Sequence, residues 1–431
     1  MPTPARQALA ARNRIARRAD WLTSNAPLGA SIENAWVVHV VGDGPSCRSR
    51  HPDEAVRRAL EGAWNDRFWA VADIEGGDLA ELLGRVTRSL VGSGEAFVRY
   101  LATPRGELRL QLLSPEQVDP SLNAELGNGR RIVAGVELGP NGERLAYHVR
   151  PEAPDGFMPT IAPAIRVPAS DIAHVFEPRF PGQVRGVSWL SPVATRLLEL
   201  DSLEDAALMK ARVASLFAGF IRDLEGTSTG EDDLAGGALS LEPGTLRRLP
   251  PGQDITFAPV ADMNGLNDFV KHMARTVSAG SGVPYAILTG DLSDTNYSSG
   301  KMGLGAFRRR CTAIRASLLG TRLLDPVWAR FATLEILSGR ISAPGFGRDP
   351  APYLSATWAW PAWDSLEPFR EARADAELVR TGIRSRAETI AARGRDPREV
   401  DAEIAADPFQ QALMAQASGE APPAVMEEIQ Q

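Results

Sequence analysis

Apolar residues fall at helical spacing in two early stretches. In Asp53–Trp69 they are Ala55, Val56, Ala59, Leu60, Ala63 and Trp64, and His51-Pro52-Asp53 supplies a helix start. In Asp78–Gly92 the repeat is Leu79, Leu82, Leu83, Val86 and Leu90, with Ala72–Gly77 as the intervening turn. Gly92-Ser93-Gly94 then breaks the helical period, and strands are expected over Glu95–Tyr100 and Glu107–Leu113. Between Ile132 and Val149 the pattern is that of a hairpin. Val133–Leu138 and Leu145–Val149 flank Gly139-Pro140-Asn141-Gly142, whose Asn-Gly pair favours a tight turn. The proline-rich stretch Pro151–Pro168 reads as a loop.

Farther along, Val193–Phe217 is expected to be one long helix, because it holds no internal glycine or proline. Phe220–Val260 returns to strands and turns, the turns set by Pro243, Gly244, Pro250, Pro251 and Gly252. Asn264–Ala279 is helical again, Gly280–Gly300 is loop, and Lys301–Leu337 is a second long helix with Pro326 as a kink or break. Trp358 and Trp360 alternate as in a strand with one buried face, and Glu367–Gln431 reads as a helical tail. No internal repeat occurs. The fold class is therefore α+β, a mixed body with a helix–β-insert–helix element at its centre.

At 431 residues the chain can form two or three domain-sized units, and 44% hydrophobic with 23% charged residues is ordinary for a globular protein. No apolar run approaches the roughly 20 residues of a membrane span; the longest, Trp36–Val41 and Leu216–Ile221, suit strands or buried helix ends. Met1–Asp20 carries Arg6, Arg12, Arg14, Arg17 and Arg18 without a continuous apolar segment, which excludes a secretory signal and reads as a solvated basic arm, with an amphipathic targeting helix as the alternative. Two distant cysteines, Cys47 and Cys311, exclude a disulfide framework. A net charge of −7 excludes a protein that grips nucleic acid across its whole surface, since that affinity comes from cations on phosphates.

Catalytic chemistry finds no home. His39, His51, His148, His174 and His272 never pair at metal-ligand spacing, and no cofactor is expected. The nearest approach to a phosphate loop, at Gly300-Lys301-Met302, has Thr295 where the first glycine belongs and Met302 in place of a hydroxyl. Gly226-Thr227-Ser228-Thr229-Gly230 fits the letters of a nucleophile elbow, but Asp232, Asp233, Gly236 and Gly237 follow where a packed helix is needed. A nucleotide-driven motor or a nuclease is disfavoured on these grounds.

Several stretches line up in order with one known family. Asn34–Pro45 is a glycine-terminated apolar segment, Val91–Arg99 reads VGSGEAFVR, and Phe180–Val193 reads FPGQVRGVSWLSPV. Gly282-Val283-Pro284-Tyr285 is followed by Asn296-Tyr297-Ser298-Ser299, then by Trp360-Pro361-Ala362-Trp363 and Gly382–Val400. Each piece alone is weak; the ordered set, spanning 13–406, resembles the lambda-type family of phage portal proteins.

That resemblance implies a ring-shaped channel, typically a dodecamer, at a capsid vertex of a tailed phage, prophage or gene transfer agent, with wing, stem, clip and crown parts. The implied division is an amino-terminal arm and wing over 1–201, a first stem helix over 202–216, and a clip over 217–263. A second stem helix follows over 264–283, then a channel loop over 284–300, a long helix returning to the wing over 301–366, and a helical crown and tail over 367–431. Double-stranded DNA passes through, the terminase large subunit and then a head–tail adaptor dock, and the major capsid or scaffold protein surrounds the ring. No membrane is involved: such a subunit assembles in the bacterial cytoplasm and ends in the virion.

Expected site residues follow from that division. Asn296, Tyr297, Ser298, Ser299 and Lys301 would face passing DNA with weak polar contacts, or Ser298 or Ser299 would simply cap the helix from Lys301. Arg247, Arg248, Gln253 and Asp254 would dock terminase or adaptor from the clip. Arg308, Arg315 and Arg322 recur at seven-residue spacing on one helix face, as an intersubunit ion-pair seam, a solvated basic face or a DNA-facing ladder. A capsid-shell or adaptor protein is the competing structural reading.

Overall fold

The computed structural model describes residues 3–152, 162–216, 220–223, 253–256, 265–293, 297–363 and 367–408. Two proline-started helices open the chain, α1 (Pro4–Asn25) and α2 (Pro27–Val40), each with its proline where a missing amide costs nothing. The amino-terminal segment is thus not a solvated arm: Arg12, Ala16, Ala19 and Leu22 are buried, and only the opposite side of α1 is wet. Strand β1 (Ser46–Ser49) precedes α3 (Glu54–Ala63), whose start is fixed by the Asp53 carboxylate accepting the Ala55 and Val56 amides. The helix continues as one π turn over Trp64–Phe68, so the predicted element is right and its winding is not. Asp78 caps α4 (Leu79–Gly92) in the same way, and the whole apolar repeat of that helix is buried.

Sheets lie beyond α4. Strand β2 (Glu95–Ala102) pairs antiparallel with β3 (Leu108–Leu113) on one side and with β9 (Ile172–Phe176) on the other. A five-stranded antiparallel meander follows: β4 (Ala124–Gly127), β5 (Arg130–Val133), β6 (Val136–Leu138), β7 (Arg144–Val149) and β8 (Ile165–Pro168). The expected hairpin is β6–β7, with Val136 opposite Tyr147 and Gly142 at a φ of 84°. Val133–Leu138 is not one strand, however. Ala134 and Gly135 take φ values of 48° and 79° and split it into β5 and β6, and a Cβ on Gly135 would stand 2.6 Å from the Asp119 carbonyl oxygen. Strand β8 also falls inside the stretch read as loop.

Helix α5 (Ala194–Leu216) and α6 (Leu266–Ser281) pack on each other, and between them β10 (Phe220–Asp223) pairs antiparallel with β11 (Gln253–Thr256). A short α7 (Tyr285–Thr289) interrupts the expected loop. Helix α8 starts at Tyr297, not Lys301, and runs to Ile314. A ten-residue π segment, Arg315–Leu324, carries it into α9 (Asp325–Leu337), with Pro326 in the first turn. The break expected at the proline is thus met by rewinding the preceding ten residues, which leaves the helix continuous. Strand β12 (Ala356–Ala359) pairs with β1, and α10 (Pro368–Arg380), α11 (Arg386–Ala392) and α12 (Pro397–Ala406) close the described chain.

One large core joins α1–α4, the start of α5, α7, α8, the π segment and α9. A second, smaller core lies under the meander, around Phe97, Val136, Tyr147 and Val167.

Candidate functional site

The candidate channel-facing segment is rooted where α6 turns into α7. Gly282 closes α6 at a φ of 76°, a left-handed conformation that a side chain would strain. Val283 is buried, and the Ser278 hydroxyl donates to its carbonyl at 2.7 Å. Pro284 then starts α7, which is pinned to α2 by the Ser31 hydroxyl donating to the Leu288 carbonyl at 2.6 Å. The Tyr285 hydroxyl donates to Asp291 at 3.0 Å, Lys271 lies 3.7 Å from the same carboxylate, and the Arg275 guanidinium stacks on the Tyr285 ring. The Ser293 hydroxyl and amide also donate to Asp291, and with Tyr285 they hold its carboxyl down at about 2. Gly282-Val283-Pro284-Tyr285 is therefore the fastening of the loop.

Of the expected DNA-facing residues, Asn296 lies outside the described residues. The backbone of Tyr297, Ser298 and Ser299 forms the first turn of α8, so the serines do not cap a helix from Lys301 but belong to one already begun. Lys301 is exposed. In the clip, Arg247 and Arg248 lie outside the described residues, as does Gly226–Gly230. Gln253 and Asp254 stand in β11 opposite Asp223 and Arg222.

The seven-residue arginine series does not keep one face. Arg308 and Arg315 both stack on Trp363, at 5.3 and 4.4 Å from its ring centroid, and Arg315 also lies over Trp360. Arg322, one period on, lies instead over Phe176 at 5.3 Å. The π segment begins at Arg315, and its wider winding breaks the register that a seven-residue period keeps in an α-helix. Arg315 is 5% exposed and donates to the Val40 and Pro361 carbonyls, so it is committed to its own subunit and is no seam residue. Aromatic packing of the tryptophans is as expected: Trp358 lies 5.6 Å from Trp64, and its indole donates to Asp325.

A buried ionic knot joins two of the quoted motifs. Glu95, fully buried, receives Arg12 Nη2 at 2.5 Å and Arg185 Nε at 2.8 Å on Oε1, and the Gly186 amide at 2.6 Å with His174 Nε2 at 3.1 Å on Oε2. Arg185 spends its remaining donors on the Val118, Ala134 and Pro115 carbonyls. Burial raises the Glu95 pKa, but Arg12, Arg185 and His174 outweigh it and hold the carboxyl well below the usual range. Burial also lowers His174 to about 4, so the imidazole is neutral and donates through Nε2. Gly94 and Gly186 cross so closely that a Cβ on Gly186 would stand 2.1 Å from the Gly94 carbonyl oxygen. Among the described residues, no group of three or more His, Cys, Asp and Glu side chains is placed to hold a metal ion.

The profile of the family described as "Phage portal protein, lambda family" matches residues 2–315. The chain belongs to that family. It is 27% identical over 337 residues to a probable portal protein of Halomonas phage phiHAP-1, covering 74% of this chain and 63% of that one. To the portal protein of Escherichia phage N15 it is 25% identical, covering 94% and 85%. Portal protein B of Escherichia phage lambda is 23% identical, covering 73% and 64%. The chain thus spans just under two thirds of the length of the Halomonas phage and lambda relatives. Among solved structures, the necks of gene transfer agent particles share the fold. The empty particle computed with C6 symmetry gives a TM-score of 0.55 at 16% identity, and the native particle computed with C12 symmetry gives 0.50 at 18%. Each likeness covers 88% of this chain and 94% of the other.

Within this portal chain, sequence reading missed the Glu95 knot although its parts were in view. Val91–Arg99 and Arg185–Val193 read as separate motifs, and the signal for their contact is one carboxylate in one motif and one arginine in the other. Arg12 carried no signal, because nothing in the pattern set it apart from Arg14 or Arg17.

Proposed function

We propose that the chain is the portal subunit of a tailed phage, prophage or gene transfer agent, and that copies of it close into a ring around a channel for DNA. The observation that carries this is the state of α5 and α6 beyond the body. Among the described side chains, burial on α5 ends at Leu200 and begins on α6 at Met273, and Leu208, Met209 and Phe269 stand about half exposed past those points. Apolar residues left bare on a paired-helix projection call for a second protein surface, and a rotationally repeated neighbour supplies one on each side.

In this reading the rooted segment leading into α8 faces the channel, where polar contacts without strong charge let DNA slide. The stretch of chain between α5 and α6, with Arg247, Arg248, Gln253 and Asp254 in its sequence, docks the terminase large subunit and then the head–tail adaptor. Arg308 and Arg322, partly exposed, are left as seam candidates toward the next subunit. The chain works without catalysis of its own, and its place is the capsid vertex of the virion. Negative-stain imaging of the purified protein tests the reading: a ring with a central hole is expected. A strictly monomeric species by light scattering, under conditions that assemble related portals, would overturn it.

A further inference from the structure

Helix α1 sorts its arginines. Arg12 turns inward to Glu95, while Arg6, Arg14, Arg17 and Arg18 are exposed. At about 100° per residue, those four and Trp21 fall within an arc of about 120°. No Asp or Glu of α1 falls on that arc, since Asp20 projects outside it. From Arg6 to Trp21 the stripe runs about 22 Å. Between its cations lies a shallow depression lined by Arg6, Gln7, Ala10, Ala11 and Arg14. Arg17 also reaches Glu116 at 3.2 Å, yet keeps 74% of its side chain exposed. In a chain of net charge −7 this is a concentrated cationic face, not a share of a general one.

We propose that this outer face of α1 binds the phosphate backbone of duplex DNA, at a surface separate from the segment leading into α8. Guanidinium forks match phosphate geometry, and about 22 Å spans roughly six phosphates of one strand. The alanines between the arginines keep the floor low, so a backbone can lie along the helix. A lipid surface fits worse, because the apolar side of α1 is already spent on Ala16, Ala19 and Leu22 in the core, and Trp21 alone remains to insert. An acidic protein fits worse too: beside the cations only Trp21 offers an anchor, and protein interfaces are held by clusters of buried anchors. The inference rests on the portal reading only in making DNA the phosphate polymer at hand.

The test is fluorescence anisotropy of a labelled mixed-sequence 20-base-pair duplex titrated with the intact protein from 50 to 200 mM KCl. Three to four phosphate contacts give a slope of log affinity on log salt between about −2.7 and −3.6, a loss of about 40- to 150-fold over that range. Arg6→Gln/Arg14→Gln/Arg18→Gln, which leaves Arg12 and Arg17 in place, should reduce the magnitude of the slope by about 2.7. The matching triple lysine variant should keep the slope, which guards against a folding artefact, as does an unchanged melting temperature. Equal affinity and slope in the glutamine variant would overturn the proposal. So would tighter binding of poly-glutamate, or of phosphatidylglycerol vesicles, than of the duplex. Imaging the glutamine variant separates this from the portal reading: rings without duplex affinity leave the portal intact and support the α1 surface.

Discussion

Two motif pairs in this chain are built in opposite ways. Val91–Arg99 and Arg185–Val193 meet in the interior, where Glu95 ties Arg12, Arg185 and His174 into one knot between the two hydrophobic cores. Gly282–Tyr285, of which only Val283 is buried, and the exposed stretch Lys301–Gly303 of α8 lie nearer the surface. The first is fastened by the burial of Val283 and by polar contacts around Asp291, and in the second the described side chains are first buried at Phe307. Both pairs carry the family resemblance, yet one is closed in the interior and the other leaves side chains exposed. Burial separates the two, and sequence pattern alone does not.

The comparison breaks most sharply at the knot. Glu95→Gln leaves two buried guanidinium groups without their counter-charge, and a destabilisation of about 3–5 kcal/mol is expected in denaturant unfolding. Glu95→Gln/Arg185→Met should cost less than the sum of the single changes, because both remove the same interaction. Additive costs would show that the knot does not act as a unit.

A pH effect comes next. His174 titrates near 4 when folded and near 6.5 when unfolded. Between those values the unfolded chain takes up a proton that the folded chain refuses, so stability falls as pH drops from 6.5 to 4, by up to about 3 kcal/mol. Glu95, held below its ordinary value, adds a further loss only as pH falls below 4.5. His174→Gln keeps a donor for Glu95 but removes the titration. Melting temperature followed from pH 7 to 4 should therefore slope less in this variant. Parallel slopes would remove His174 as the cause.

Legibility in the sequence follows the same division. The capped helices α3 and α4, strand β2 and the β6–β7 hairpin were readable because local signals agree there: Asp53, Asp78, Gly94 and Asn141-Gly142 each act within a few residues. The π segment was not, since its winding answers to Pro326 and to packing on Trp358, Trp360 and Phe176 from distant parts of the chain. That is why Arg308, Arg315 and Arg322 looked like one face and are not. Nor was the inward turn of Arg12 readable, because its partner lies 83 residues away.

At the surface region smaller effects of the opposite sign are expected. Gly303 and Gly305 sit in the exposed half of α8, and a Cβ at either would meet nothing within 4 Å. Glycine inside a helix costs about 1 kcal/mol relative to alanine, so Gly303→Ala and Gly305→Ala should each stabilise the purified subunit by about that amount. The measurement is denaturant unfolding of the subunit beside thermal melting of the proposed ring. Stabilised subunits with destabilised rings would place a neighbouring subunit's backbone close against these glycines. Loss of stability in both would contradict the open space around them.

The smallest effect lies at the loop root, and it is read by titration. Asp291 ionises at about 2 where 3.8 is ordinary, first because the Ser293 hydroxyl and amide donate to it, then because Tyr285 does. The carboxylate is the favoured form in the folded chain, so the fastening holds above pH 4 and is lost as pH falls through about 2. Ser293→Ala removes the leading hydroxyl donor and should raise the Asp291 midpoint most. Tyr285→Phe should raise it less, and neither should reach 3.8, because the Ser293 amide stays. Carboxyl-carbon NMR of the two variants measures the order directly. If Tyr285→Phe moved the midpoint further than Ser293→Ala, the tyrosine of Gly282-Val283-Pro284-Tyr285 would be the main latch and the serine turn incidental. If neither moved it, the acidity of Asp291 would come from the Ser293 amide and from Lys271, and Lys271→Met would separate those two.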